Sequence, residues 1–160
     1  MALKGDKMAK YFQPEIECAS LDEMRAIQNE KLVKQVKHVY ENVEYYRNLM
    51  DEKGVKPEDI QSIDDLHKLP FLTKADLRDA YPYGLLGADL KDCVRIHSTS
   101  GTTGRRVVAF YTQYGIDLWE DCCGIASTAA GGTNGDVCQV AYGYGLFTGG
   151  SGLHGGSHKV

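Results

Sequence analysis

The sequence predicts an α/β fold in which N-terminal helices lead into βαβ units, and three observations carry that reading. Apolar residues recur close to helical spacing through the first half of the chain. Two stretches rich in β-branched and aromatic residues, Val94–His97 and Val107–Tyr111, then bracket a loop built of Ser, Thr and Gly. A helical stretch from Gln113 to Ala130 leads to a further strand-like run, Val137–Ala141. Strand and helix in alternation argue for crossovers and for a sheet at least partly parallel. We therefore expect a mainly helical segment over 1–90 and an α/β segment over 91–160.

The elements follow in order. Ser20 and Glu23 have the spacing of a capping box, and Leu21, Met24, Ile27, Leu32, Val36, Val39 and Val43 continue behind them as one apolar face. This predicts a long helix, broken near His38, to about Glu52, where Gly54 and Pro57 stop it. Tyr40, Tyr45, Tyr46 and Leu49 read as core or subunit contacts, which leaves a homodimer open. Ser62 and Thr73, each followed by an acid three residues on, predict two short helices around Leu69–Leu72, the second closed by Pro82. Gly84 to Lys91 is a connector. Residues Gln113 to Ala130 form a helix despite their glycines, each of which costs about 1 kcal/mol against alanine. Leu146 to Val160 reads as a glycine-rich helix entry, weak by itself.

Composition narrows the function. A chain of 160 residues with 42% hydrophobic and 25% charged residues can build a core of its own. A net charge of −4 argues against a nucleic-acid surface. The N-terminus runs directly into charges, and no apolar stretch approaches the roughly 18 residues of a membrane span, so a cytoplasmic protein without membrane contact is expected. Five cysteines with no Cys-x-x-Cys spacing indicate reduced thiols rather than disulfides or a zinc clamp, and no metal site is assigned.

The chemistry concentrates in Ser98, Thr99, Ser100, Gly101, Thr102, Thr103 and Gly104. Glycines let backbone N–H groups approach an oxyanion closely, and the hydroxyls add hydrogen bonds, so these seven residues are assigned to a nucleotide's phosphates. At average composition the string Ser-Gly-Thr-Thr-Gly arises by chance in on the order of one in several thousand chains of this length. The loop is no Walker motif, which would end in Gly-Lys-Ser/Thr and open a helix; here Arg105 and Arg106 follow, then a strand. Either arginine could pair with phosphate oxygens or simply be solvated.

Further on, Tyr142-Gly143-Tyr144-Gly145-Leu146-Phe147-Thr148-Gly149-Gly150 supplies a second motif. Its aromatics Tyr142, Tyr144 and Phe147 stand among the small residues Gly143, Gly149 and Gly150, and by themselves they also read as anchors of the sheet. These two motifs in this order, with Leu69-Pro70-Phe71-Leu72-Thr73-Lys74-Ala75-Asp76-Leu77-Arg78 upstream, resemble the phenylacetate–coenzyme A ligase family of adenylate-forming enzymes from about Tyr11 onward. The chain departs from that pattern at Arg105-Arg106, where many relatives have Lys-Pro, and at Gly115, Gly124 and Gly131-Gly132.

The resemblance implies the start of a large AMP-binding N-terminal domain. It implies ATP, Mg²⁺ and coenzyme A as cofactors, an aryl acid as substrate, and activation through an acyl-adenylate, with Tyr142 and Phe147 walling the acid's ring beside Tyr144 where Gly143, Gly149 and Gly150 leave room. Family members are far longer, so a truncated chain is expected, inactive alone, with the adenosine pocket and a catalytic lysine outside it. A coenzyme F390 synthetase-like adenylyl transfer and a catalytically inert fragment remain open.

Overall fold

The computed structural model describes residues 11–101 and 104–160. Their α-helices are α1 (Pro14–Glu17), α2 (Leu21–Asn42), α3 (Glu44–Glu52), α4 (Lys74–Asp79), α5 (Gln113–Ala129) and α6 (Thr148–Lys159), and the strands are β1 (Cys93–Ser98) and β2 (Val108–Thr112).

The capping signals are realised. Ser20 accepts from the Glu23 N–H while the Glu23 carboxylate accepts from Ser20 N–H at 2.8 Å. The same reciprocal pair forms between Thr73 and Asp76 at the start of α4, and between Ser62 and Asp65 at the 3₁₀ turn Ile63–Lys68. The long helix breaks at Val43 rather than near His38. Val43 is buried with extended backbone (φ −122°, ψ 97°). The carbonyls freed at the break have their own partner: Arg47 Nη1 donates to Tyr40 O at 3.3 Å and to Glu41 O at 3.4 Å. Gly54 (φ +70°) closes α3: its N–H donates to Asp51 O and that of Val55 to Met50 O, the paired bonds of a Schellman motif. The turn folds Val36, Met50, Val55, Ile60 and Leu69 into one apolar cluster, with Leu32, Tyr40 and Tyr46 packed on it.

β1 and β2 pair antiparallel, with Arg95 opposite Tyr111, Ile96 opposite Phe110, His97 opposite Ala109 and Ser98 opposite Val108. The two strands form a hairpin, whereas the expected crossover ran on from β2 through the helix to a strand at 137–141. Only residues 99–107 join β1 to β2, and a parallel connection needs a dozen residues or more. Residues 137–141 form no strand; among the described residues the sheet has these two strands, and Val137 is 98% exposed.

α5 starts directly from β2, with the Thr112 hydroxyl accepting from Gly115 N–H. Gly124 makes room for the Phe12 ring, 2.9 Å from where its Cβ would stand. α6 runs as a full helix packed along α5. Its inward face is glycine because any Cβ at Gly152, Gly155 or Gly156 would overlap Trp119, Glu120 or Cys123 respectively. Lys159 pins the helices further through Asp121, 2.7 Å away, and this bond holds the Asp121 carboxyl below its usual range. Among the described residues no helix is long and apolar enough to cross a membrane.

Candidate functional site

β1 delivers the Ser/Thr/Gly loop at its end. Past Ser98 the strands stay linked by Thr99 N–H donating to Val107 O (3.0 Å) and Val107 N–H to the Thr99 hydroxyl (3.1 Å). The chain then turns through Gly101 (φ +72°) and Gly104 (φ +122°), both in the left-handed region that favours glycine, with Gly104 N–H donating to Gly101 O at 3.2 Å. Thr102 and Thr103, assigned to phosphate, lie outside the described residues. The two arginines separate in space. Both are exposed, and Arg106 folds back so that Nη1 donates to the Ser98 hydroxyl at 3.3 Å. Arg106 also closes over Gly101, whose missing Cβ would stand 2.7 Å from the Arg106 Cγ.

The aromatic motif reaches the same strand end. Leu146 O accepts from Ser98 N–H at 2.8 Å and from His97 Nδ1 at 3.1 Å. One carbonyl therefore ties the two motifs, distant in sequence, to each other. Tyr142, Tyr144 and Phe147 are 59, 57 and 48% exposed around it. Gly149 and Gly150 hold the loop against α6: a Cβ at Gly149 would stand 3.1 Å from the Tyr142 ring, and one at Gly150 3.1 Å from Gly143 O. Gly143 has open space where a Cβ would be. The expected ring slot thus has its aromatics and Gly143 facing outward, with Gly149 and Gly150 beneath them.

His97 is the residue that motif reading passes over. It is 2% exposed and stands edge-on to Trp119 (centroids 5.2 Å apart) and Tyr111 (5.6 Å), which stack on each other at 5.3 Å. Its Nδ1 must carry a proton to donate to a carbonyl, which leaves Nε2 as an acceptor; that atom is buried without a hydrogen-bond partner. Alternation along β1 would turn Val94 and Ile96 inward, yet they are 58 and 45% exposed, so nothing in the sequence marks His97 as the buried residue. Among the described residues no group of three or more His, Cys, Asp or Glu could hold a metal. Burial raises the Cys123 thiol above its ordinary value.

Comparison with known proteins first defines a class. A crystal structure of 2-hydroxyisobutyryl-CoA ligase in complex with 2-HIB-AMP and CoA superposes with a TM-score of 0.87 at 23% identity, covering 98% of this chain and 34% of that one. An open conformation of the same ligase gives 0.86 at 21% identity, with 98 and 37% covered. The fold is that of the N-terminal part of an adenylate-forming CoA ligase. Within that class, the sequence is 49% identical over 145 residues to a phenylacetate-coenzyme A ligase of Aromatoleum evansii and 48% to that of Escherichia coli K12, each match covering 91% of this chain. A Thermus thermophilus phenylacetate-coenzyme A ligase matches at 44% over 149 residues. The similarity read from the motifs is therefore to phenylacetate-coenzyme A ligases, and the chain spans about a third of the length of the curated relatives it matches. No family profile matches.

Proposed function

We propose that the chain supplies the phosphate loop and part of the acyl pocket of an ATP-dependent aryl-acid coenzyme A ligase, phenylacetate-like in its substrate. In the first half-reaction the substrate carboxylate attacks the α-phosphorus of ATP, forming an acyl-adenylate and releasing pyrophosphate. In the second, the coenzyme A sulfur attacks the acyl carbon and AMP leaves.

The observation that carries this reading is the shared Leu146 carbonyl, which sets a loop of N–H and hydroxyl donors beside half-exposed aromatic rings. Ser98 to Gly104 would bind ATP phosphates, with Mg²⁺ arriving as the polyphosphate's counter-ion and supplying charge neutralisation there. Arg106, bonded to Ser98, would follow the loop onto phosphate. Tyr142 and Phe147 would wall the ring of the acid, and Tyr144 would complete the slot over Gly143, Gly149 and Gly150. Holding carboxylate and α-phosphorus in one frame lowers the barrier through orientation, which is why the tether between the motifs matters.

The test is a chimera in which this chain replaces the matching third of the Escherichia coli ligase. It should support phenylacetate-dependent exchange of pyrophosphate into ATP, and joint Thr102→Ala and Thr103→Ala substitution should cut that exchange on the order of 100-fold. Unchanged exchange in the double variant would remove the phosphate assignment. A folded chimera without any exchange would remove the ligase reading.

A further inference from the structure

We propose that His154 and His158 on α6 form a chelating site for a borderline divalent transition-metal ion of the Zn²⁺ and Ni²⁺ type, braced by Tyr144. Nothing in the nucleotide reading uses this pair, and the inference stands independently of it.

The two histidines are four residues apart on one helix, so they share a face, the spacing by which helical zinc sites present two imidazoles. Their rings stand 4.8 Å apart between centroids, and the two Nε2 atoms lie 3.2 Å from each other. Zinc–nitrogen bonds of about 2.0–2.1 Å at a tetrahedral angle place two ligand nitrogens about 3.3 Å apart, so the separation of the pair already meets this requirement and only the ring directions must adjust. Without a cation, one Nε2 must carry a proton and donate to the other; with one, both lone pairs turn to the metal.

The second observation is the hydrogen bond behind His154. Its Nδ1 lies 3.0 Å from the Tyr144 hydroxyl. A group on the far nitrogen that fixes ring orientation and tautomer is what metal-ligating histidines commonly have. The helix is also held: Ser157 Oγ donates to His154 O at 2.8 Å, and Lys159, next to His158, spends its charge on Asp121 at 2.7 Å and on Asp117 O at 3.3 Å. The rings are exposed, so water can complete the coordination sphere. Two neutral imidazoles select Zn²⁺, Ni²⁺ or Cu²⁺ over Mg²⁺ and Ca²⁺, which prefer oxygen ligands. A bound ion would fasten Tyr144, and the aromatic loop with it, to α6.

The experiment uses the 160-residue chain with Ni²⁺ and Zn²⁺ as probes and Mg²⁺ in excess throughout. In NMR spectra, substoichiometric Ni²⁺ should broaden the ring signals of His154 and His158 together while those of His38 and His67 persist. In calorimetry, His154→Ala or His158→Ala should each weaken the Zn²⁺ site at least about tenfold, and Tyr144→Phe should weaken it less. Both alanine variants replace exposed side chains, so circular dichroism should show an unchanged fold. Exposed Cys18, Cys122 and Cys138 form a background of competing sulfur ligands, which these variants leave intact. Zn²⁺ affinity unchanged in both alanine variants, or Ni²⁺ broadening that spares these two rings, would overturn the proposal.

Discussion

Replacing single glycines of α6 by alanine isolates the steric reason for its composition. In a helix interior the exchange by itself favours folding by about 1 kcal/mol, whichever glycine is chosen. The obstacles differ. At Gly155 the new methyl meets the Glu120 side chain, with Cγ at 2.6 Å and Cδ at 2.5 Å, and a glutamate can swing toward solvent. At Gly156 it overlaps the Cys123 Cβ and stands 3.2 Å from that residue's backbone, which cannot move unless the helices separate. Forced overpacking costs about 1–3 kcal/mol. Gly155→Ala should therefore be neutral to stabilising, and Gly156→Ala should be less stable than Gly155→Ala by about 1–3 kcal/mol, the propensity gain cancelling between them. Gly152→Ala, whose methyl would strike the Trp119 ring wedged against His97 and Tyr111, should resemble Gly156→Ala. Urea unfolding followed by the single tryptophan, Trp119, checks this, read as a shifted midpoint at constant slope. Equal midpoints for the Gly155 and Gly156 variants would refute the close-packing argument.

Acid should weaken the helix caps in a defined window. Asp76 is depressed from 3.8 to about 2, first by the Thr73 hydroxyl, and Asp65 likewise to about 2, first by Lys68. Because these folded-state values lie below the unfolded ones, their stabilisation is present above pH 3.8 and is lost as pH falls toward about 2. Thr73→Ala should accordingly lie below wild type in unfolding midpoint at about pH 5, and the gap should narrow as pH falls; a gap independent of pH would contradict the assignment. For the acyl slot, Phe147→Ala in the chimera should shift preference toward bulkier aryl acids by about tenfold, with little change in the Michaelis constant for ATP. Collapse of ATP binding with unaltered acid preference would move Phe147 out of the pocket.

What the sequence made legible was local. Ser20 with Glu23, Ser62 with Asp65 and Thr73 with Asp76 are each three residues apart, so partner and cap can be read together, and all three form. The strands on either side of the loop, and the helix after the second, were legible from composition alone. The expected crossover failed at its far end: residues 137–141 have strand-like composition but form no strand among the described residues, and Val137 is 98% exposed. Val43 displaced the break from His38 because its burial, set by tertiary contact, outweighs local spacing. Of the phosphate loop, the sequence showed the donors and the two glycine turns but not that Arg106 would fold back onto Ser98.

The largest gap was α6. Its glycines look destabilising because helix propensity is summed along the chain, whereas their compensation lies on α5, at Trp119, Glu120 and Cys123. That compensation extends to the candidate site. Only a glycine at position 152 lets Trp119 lie between α6 and the sheet, where its ring faces His97. His97 in turn holds the Leu146 carbonyl that also accepts from Ser98 at the start of the phosphate loop. A residue with no chemistry of its own is thus joined, through one ring and one imidazole, to the spacing between the Ser/Thr/Gly loop and the aromatic motif, so substitutions along α6 should disturb that spacing before they unfold the chain.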